Sequence, residues 1–380
     1  MPTLNSTLRV GLSTSVGQRG RSGVATYLFG LIDGLLKSSP DIRLTLFGLA
    51  NDKALFNRWL DRCEWKEVSE FWRPAVRDIF FHQFLLPRRL TRAGCDVVHI
   101  PSYRRVLAHS RTPQVLTIHD CASFRLRGKY DAARNFYTQR VVVPMARRVR
   151  QLIAVSAATA QDITRFYGRR SSEIDVIWNG IDHDRFQPSA AAEAPALDCP
   201  YFLYVARLEH SAKNHVRLIE AFERLLARHP HVPHQLVLAG SDWHGAEAIH
   251  ARVAQSPVRN RIHTPGFVRT AALAGWYAGA EAMVYPSLFE GFGLPPIEAM
   301  ACGCPVVCSD RGSLGEVVGN AARLVDPDSP ADIAAGLLEM LQPARREAWR
   351  QRGLGHAARF DWRDVGQRTA AIYRRAGGAA

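Results

Sequence analysis

The stretch 284–310 constrains the fold of this chain most, because a strand, a glycine turn, a helix and a second strand follow one another there. Residues 282–285 are apolar, and this run ends at Pro286, as in a buried parallel strand. Two glycines flank Phe292, and they permit a sharp turn and a close approach of backbone to a ligand. A Pro-Pro pair at 295–296 then suits the start of a helix, which predicts that Glu298 lies in its first turn.

The chemistry of this turn suggests a site. Backbone N–H groups at a helix N-terminus bind anions, and two nearby carboxylates, Glu290 and Glu298, can accept hydrogen bonds from hydroxyls. A phosphate together with hydroxyls describes a nucleotide sugar. The alternative is structural: Glu298 then only interacts with the helix dipole, and Glu290 is a solvated loop residue.

Apolar strand patterns alternate with helical patterns along the chain, which predicts parallel sheets with right-handed crossovers. Residues 187–199 mix Ala and Pro without periodicity and are the best linker candidate. The length of 380 residues fits two domains. We therefore expect an N-terminal domain over 1–187, a linker over 188–199 and a C-terminal domain over 200–360, with residues 361–380 forming a last helix.

Several polar residues follow predicted strands, where ligands gather in doubly wound sheets. His119 and Asp120 come directly after the strand 115–118. Arg207 follows the strand 201–205, and Lys213 comes six residues later at the start of a helix. Two cations beside a helix N-terminus suit a pyrophosphate. The alternative is that Arg207 and Lys213 only form salt bridges at the protein surface. Gly23, between the first strand and first helix, is a weak phosphate signal by itself.

The net charge of +14 is uneven along the chain. Residues 1–190 hold 29 Lys and Arg against 16 Asp and Glu, whereas residues 191–380 hold 20 against 19. A basic half indicates an anionic partner such as phospholipid, a diphosphate-linked acceptor or nucleic acid. The alternative is that the excess consists only of solvated arginine side chains. The apolar stretch 77–86 is open to two interpretations, a core helix or a segment that dips into a membrane surface.

The seven cysteines are unevenly spaced, and the chain shows no secretory signal, so a reduced cytoplasmic setting is expected. Cys302, Cys304 and Cys308 form a cluster without a nearby histidine, which favours apolar packing over a metal site. With 47% hydrophobic and 22% charged residues the chain can bury full cores. No segment has the roughly 20 apolar residues needed to span a bilayer.

Glu290 and Glu298 are separated by seven residues in a Gly-Phe-Gly context, and this string resembles the E-x7-E signature of glycosyltransferase family 4. ARLEHSAKN resembles the Arg-x5-Lys diphosphate pair of that family, here Arg207 and Lys213. TIHD, at His119, resembles the motif whose histidine lies near the transferred sugar. Residues 22–27 resemble the Gly-Gly-Ile-Gly-Arg-Tyr loop of the family only at Gly23 and in the surrounding pattern. Three segments, TIHD, VSAATAQDI and YFLYVARLE, are similar to those of the mannosyltransferase B-like branch of this family.

This resemblance implies an α/β GT-B fold: two Rossmann-like, doubly wound parallel-sheet domains facing across a cleft, with the last helix crossing back to the first domain. It implies four catalytic residues: His119, Arg207, Lys213 and Glu290. The implied donor-binding residues are Gly23, Arg207, Lys213, Val268, Glu290, Gly291, Phe292, Gly293, Leu294 and Glu298.

The implied activity is retaining transfer of a hexose, mannose from GDP-mannose, onto a polyprenol-diphosphate-linked or polysaccharide acceptor in O-antigen or exopolysaccharide synthesis. No metal and no cofactor are expected, because protein cations take the place of a metal ion, so we reject a D-x-D metal role for Asp182-His183-Asp184. The expected location is the cytoplasm, at the inner face of the membrane. Alternatives are a UDP-sugar-dependent transferase, a nucleotide-sugar 2-epimerase and a noncatalytic basic module; a nucleic-acid partner is not expected, since no RNA-binding signature occurs.

Overall fold

The computed structural model divides the chain into two compact units. The first unit comprises Met1–Gly180 and Asp361–Ala380, and the second comprises Ile181–Phe360. The sequence places the corresponding boundary at 187, and most of the predicted linker lies outside the described residues. The structure describes residues 7–20, 22–126, 132–188, 195 and 197–378.

Each unit contains one sheet in which all strand pairs are parallel. The order is β3-β2-β1-β4-β5-β6-β7 in the first unit and β10-β9-β8-β11-β12-β13 in the second. Both orders reverse direction at a central strand, as in doubly wound folds. The strands are β1 Leu8–Ser13, β2 Ile42–Leu49, β3 Glu64–Val68, β4 Val97–Ile100, β5 Gln114–Ile118, β6 Gln151–Ala154, β7 Ile174–Val176, β8 Tyr201–Val205, β9 Gln235–Ala239, β10 Ile262–Gly266, β11 Ala282–Tyr285, β12 Val306–Ser309 and β13 Arg323–Val325.

Helices connect successive strands, as parallel pairing requires. Short π-helical turns continue three of them, over Phe81–Leu85, Thr138–Val142 and Ile163–Tyr167. The α-helices are α1 Gly23–Ser38, α2 Ala75–Phe80, α3 Leu86–Arg92, α4 Ala122–Arg125, α5 Ala132–Tyr137, α6 Val143–Ala146, α7 Ala157–Asp162, α8 His215–Arg228, α9 Ala246–Ala254, α10 Thr270–Ala278, α11 Leu294–Ala301, α12 Leu314–Val318, α13 Pro330–Met340, α14 Pro343–Ala357 and α15 Trp362–Ala376.

The C-terminal helix α15 belongs to the first unit, where it packs against α1. The two helices approach so closely that a Cβ on Gly34 would lie 1.9 Å from the carbonyl oxygen of Trp362. A Cβ on Gly366 would lie 2.3 Å from the carbonyl carbon of Gly34. Glycine at both positions therefore permits backbone contact between the helices, and Trp362 is buried in the core there.

The segment from α2 to α3 has two different faces, and its buried face confirms the core interpretation of the stretch 77–86. Phe81 and Leu86 are buried in the core of the first unit. Val76, Phe80 and Phe84, spaced four residues apart, are 68%, 55% and 57% exposed. The segment is thus a core helix with a second, unpartnered apolar face. Across the described part of the chain, no helix is both long and apolar enough to cross a bilayer.

Candidate active site

In the second unit, the loop after β8 and the loop after β11 are joined at the carboxyl edge of the sheet. Leu288 donates its backbone N–H to Ala212 O at 2.9 Å. Asn214, with φ +60°, donates its side-chain amide to the carbonyl oxygens of Pro286 at 3.0 Å and Pro327 at 2.7 Å. These bonds fix the position of Lys213, whose backbone carbonyl also accepts from the Tyr204 hydroxyl.

Lys213 and Glu290, assigned from the sequence to one site, form an ion pair with 2.5 Å between Nζ and Oε1. The same carboxylate oxygen accepts hydrogen bonds from the Ser287 hydroxyl at 2.7 Å and the Tyr285 hydroxyl at 2.9 Å. The two charged side chains are 14% and 15% exposed. Because all three bonds use Oε1, Oε2 is left to accept a hydrogen bond from a ligand hydroxyl.

This environment keeps Glu290 ionised. Burial by itself would raise the pKa of the carboxyl group, but the charge and hydrogen bond of Lys213 bring the pKa below its ordinary value. Glu290 is therefore an acceptor of hydrogen bonds at neutral pH and is not a proton donor.

The glycine turn that follows is held by Ser313, whose hydroxyl donates to the carbonyl oxygens of Glu290 and Phe292, both at 3.0 Å. Gly293 has φ +99°, and a Cβ there would lie 2.5 Å from Leu314 Cδ2. Glycine is thus needed for both the backbone conformation and the space.

Helix α11 begins one residue earlier than the sequence indicates, at Leu294, because Gly293 in the left-handed region forms its N-cap. Glu298 is consequently the fifth helical residue, and its predicted place in the first turn is wrong. The glutamate points inward, where it is 9% exposed and accepts from the Tyr277 hydroxyl at 3.2 Å. Burial raises the pKa of Glu298 to about 7, although the bond from Tyr277 lowers it.

Arg207 lies on the loop after β8 and is 46% exposed. Its guanidinium stacks on the Trp243 ring, 4.5 Å from the centroid, and lies 3.8 Å from the Glu209 carboxylate. Trp243 belongs to the loop after β9 and lines a cavity of about 420 Å³. Val268 follows β10 at the same edge of the sheet, because all six strands are parallel.

In the first unit, His119 follows β5 directly, as expected. Its Nε2 lies 3.0 Å from Pro101 O, and its ring meets the Tyr27 ring edge-on with 4.8 Å between centroids. Burial lowers the pKa of His119 to about 4, so the ring is neutral at neutral pH. A neutral ring bonds this carbonyl by donating from Nε2, which leaves Nδ1 as an acceptor.

Gly23 is the first residue of α1, next to the N-cap Ser22, whose hydroxyl accepts from Ala25 N at 3.2 Å. The glycine is exposed, and a Cβ added to it would meet no atom within 4 Å. Packing within the first unit therefore does not require glycine at this position.

The two features weighed as metal sites are engaged in other contacts. Asp182 accepts from Arg185 N, and His183 Nε2 lies 3.1 Å from Phe360 O. Cys302, Cys304 and Cys308 are buried free thiols, and burial raises the pKa of Cys302 to about 12. Within the described ranges, no three His, Cys, Asp or Glu side chains are grouped to hold a metal ion.

Sequence reasoning missed the residues that position the site: Asn214, Tyr277, Tyr285, Ser287 and Ser313. Only Ser287 has a local signal, since a serine three residues before a loop carboxylate can bond it within one turn. Tyr285 lies on β11, five residues before Glu290, and its contact depends on the shape of the turn between them. Asn214, Tyr277 and Ser313 each bond a residue of a different element, and such pairings become visible only when the fold is known.

The chain is similar to known glycosyltransferases in both sequence and fold. Residues 21–185 match the family model described as Glycosyltransferase Family 4, and residues 187–355 match Glycosyl transferases group 1. O-antigen chain mannosyltransferase B of Escherichia coli is 30% identical over 307 residues, which cover 77% of this chain and 79% of that protein. MMP alpha-(1->4)-mannosyltransferase of Mycolicibacterium hassiacum is 30% identical over 253 residues, covering 61% of this chain and 56% of that protein.

Among solved structures, HepE of Anabaena in complex with UDP and glucose superposes with a TM-score of 0.74 at 18% identity, covering 97% of this chain and all of that one. This likeness concerns the fold, and it confirms the two Rossmann-like units. The sequence resemblance is confirmed as well: the chain belongs to glycosyltransferase family 4, with the GT-B fold, and resembles its mannosyltransferase B-like members.

Proposed function

We propose that this glycosyltransferase is a retaining, metal-independent hexosyltransferase that moves mannose from GDP-mannose onto a polyprenol-diphosphate-linked or polysaccharide acceptor in O-antigen or exopolysaccharide synthesis. The observation that carries the proposal is the junction of Lys213 and Glu290 at the strand ends of the second unit, next to the glycine turn. It supplies a cation for a phosphate and a carboxylate for a hydroxyl at one place.

In this mechanism, negative charge develops on the departing diphosphate while the sugar acquires oxocarbenium character. Arg207, Lys213 and the amides from Gly291 to Leu294 stabilise that charge, and such preorganised stabilisation is commonly the largest catalytic contribution. They do so without a metal ion. Glu290 holds a sugar hydroxyl through Oε2, and a carboxyl oxygen of Glu298, an acceptor in either protonation state, accepts from the ribose.

Retention follows from attack on the face that the diphosphate leaves. The bond from the acceptor oxygen to the anomeric carbon forms as the bond from that carbon to the phosphate oxygen breaks. The acceptor proton passes to the departing phosphate, so no covalent nucleophile is needed. His119, with Nδ1 as an acceptor, contacts a hydroxyl of the sugar or of the incoming acceptor.

The identity of the donor rests on likeness to mannosyltransferases, two of which are about 30% identical to this chain. A UDP-sugar donor is the second candidate, favoured by the structural likeness to HepE, whose structure contains UDP and glucose. The two differ in the nucleotide that is released.

An anionic membrane surface is the proposed partner of the first unit, which would place the enzyme at the inner face of the cell membrane. Supporting this, Val76, Phe80 and Phe84 form an exposed apolar row. Arg88 follows at the same spacing and bonds the carbonyl of Phe84 at 2.7 Å. Apolar side chains next to cations suit the boundary between lipid head groups and acyl chains.

The test is a panel of GDP- and UDP-sugars assayed for nucleotide release with an extracted polyprenol-linked acceptor, in buffer containing EDTA. We expect GDP release from GDP-mannose that requires acceptor and is lost in Glu290→Gln. UDP release would favour the second candidate. Conversion of the donor without acceptor would indicate an epimerase, and no release from any donor would contradict the proposed activity.

A further inference from the structure

Trp243 is a large aromatic side chain that is 45% exposed at the carboxyl edge of the second sheet. Aromatic side chains dominate the energetics of cores and interfaces when buried, so an exposed indole beside a candidate site needs an explanation. No role was assigned to this residue from the sequence. Its ring carries Arg207, the cation assigned to the donor diphosphate, whose guanidinium lies 4.5 Å from the ring centroid.

The backbone holds these two residues together. Leu208 N donates to Ser241 O at 2.9 Å, and Trp243 N donates to Leu208 O at 3.1 Å. His210 N donates to His244 O at 3.1 Å, so the two loops are paired along their length. Gly245, with φ +77°, allows this approach, since a Cβ there would lie 2.9 Å from His210 Cβ.

Arg207 has a competing neighbour, because the buried carboxylate of Glu209 lies 3.8 Å from its guanidinium. Without a second contact, a half-exposed arginine side chain would alternate between a conformation that contacts this carboxylate and conformations that extend into solvent. The flat face of Trp243 supplies the support, since a guanidinium stacks on an indole ring and keeps its edge N–H donors available. Those donors suit two phosphate oxygens.

We infer that Trp243 is a positioning residue that holds the Arg207 guanidinium in place for the diphosphate of the donor. This inference rests on the proposed function. Trp243 acts through Arg207, so its contribution to nucleotide affinity disappears when Arg207 is absent.

The test uses calorimetric titration of GDP into the full-length protein and four variants: Trp243→Leu, Trp243→Phe, Arg207→Ala and the Arg207→Ala/Trp243→Leu double variant. Leucine keeps apolar bulk but removes the ring face, whereas phenylalanine keeps a ring. We expect Trp243→Leu to raise the Kd for GDP about five-fold, equivalent to about 1 kcal/mol. Trp243→Phe should restore most of the affinity, and Trp243→Leu should add nothing in the Arg207→Ala background.

A matched control is Trp349→Leu, because Trp349 on α14 also carries a stacked guanidinium, that of Arg352 at 4.9 Å. It should leave the GDP affinity unchanged. Equal weakening by Trp243→Leu in both backgrounds, or no weakening in the native background, would overturn the inference while leaving the proposed function intact. If the native protein bound neither GDP nor UDP, the proposed function itself would fail. Thermal unfolding of each variant checks that the loops remain folded, and Trp243→Met, which also removes the ring face, replaces Trp243→Leu if that variant does not fold.

Discussion

Glu290 illustrates how much one side chain depends on its neighbours. Its Oε1 receives an ammonium and two hydroxyl groups, and together these fix the direction of the second oxygen. The three donors are not equivalent. Lys213 carries a charge and is also assigned to phosphate, whereas Tyr285 contributes one neutral hydrogen bond.

Replacing Lys213 by Met should therefore lower kcat/KM by about 100-fold, as expected for loss of one preorganised donor to developing charge. Tyr285→Phe should lower it only about five-fold, because a single neutral hydrogen bond is worth about 1 kcal/mol. Steady-state release of the nucleotide measures both. A Lys213→Met enzyme with nearly native kcat/KM would contradict the role of Lys213.

Glu298 should make stability depend on pH. Its pKa rises from 4.5 to about 7 on folding because the side chain is buried, so the folded state binds more protons than the unfolded state between these values. Stability must then fall as pH rises through this window, by up to about 3 kcal/mol from this group. In urea unfolding at pH 5 and pH 8, Glu298→Gln should show a smaller loss than the native protein; equal losses would count against the burial of a neutral Glu298.

At the scale of elements, the start of α11 depends on Gly293. Its backbone lies in the left-handed region, and a side chain there would meet Leu314. Gly23 offers the matched comparison: it stands at the start of α1, but it has open space around it.

Gly293→Ala should lower the free energy of unfolding by about 1–3 kcal/mol, because an unfavourable backbone conformation is imposed on a residue with a Cβ. It should also weaken GDP binding through the displaced turn.

Gly23→Ala should leave stability unchanged or slightly higher, since alanine favours helix. If Gly23→Ala keeps native stability but loses donor affinity, close backbone approach at Gly23 is supported; unchanged affinity would remove Gly23 from the donor site. Chemical unfolding and GDP titration measure the two effects.

The apolar row on α2 and the following π-helical turn should act as one surface. Phe80→Ser/Phe84→Ser should reduce sedimentation of the protein with phosphatidylglycerol vesicles several-fold, because two exposed rings no longer enter the lipid. Native binding should weaken with salt and be small on phosphatidylcholine. Leu55→Ser, at another exposed apolar residue of the first unit, is the control and should bind as the native protein does. Unchanged sedimentation of the double variant would contradict this role for the surface.

Across the whole molecule, the sequence predicts most of the architecture because buried parallel strands are short apolar runs bounded by turns. β8 and β11 begin and end where expected. β3 is missed because it is an edge strand, EWKEV, without an apolar run. α14 is missed because its sequence is mostly polar.

The site is predictable in part for a related reason. Arg207, Lys213 and Glu290 follow strands of the second sheet, and the carboxyl ends of its parallel strands share an edge, so local sequence places them. His119 is placed in the same way after β5 of the first sheet. Their mutual contacts depend on strand order. The 2.5 Å contact between Lys213 and Glu290 joins residues 77 positions apart, and no local pattern reports it.

The most direct test of the account is a crystal structure of the protein soaked with GDP in the absence of divalent metal. We predict that the diphosphate oxygens lie within hydrogen-bond distance of the Arg207 guanidinium and the Lys213 ammonium, with the ribose at Glu298. A GDP molecule bound away from both cations would contradict the central claim that these side chains hold the donor diphosphate.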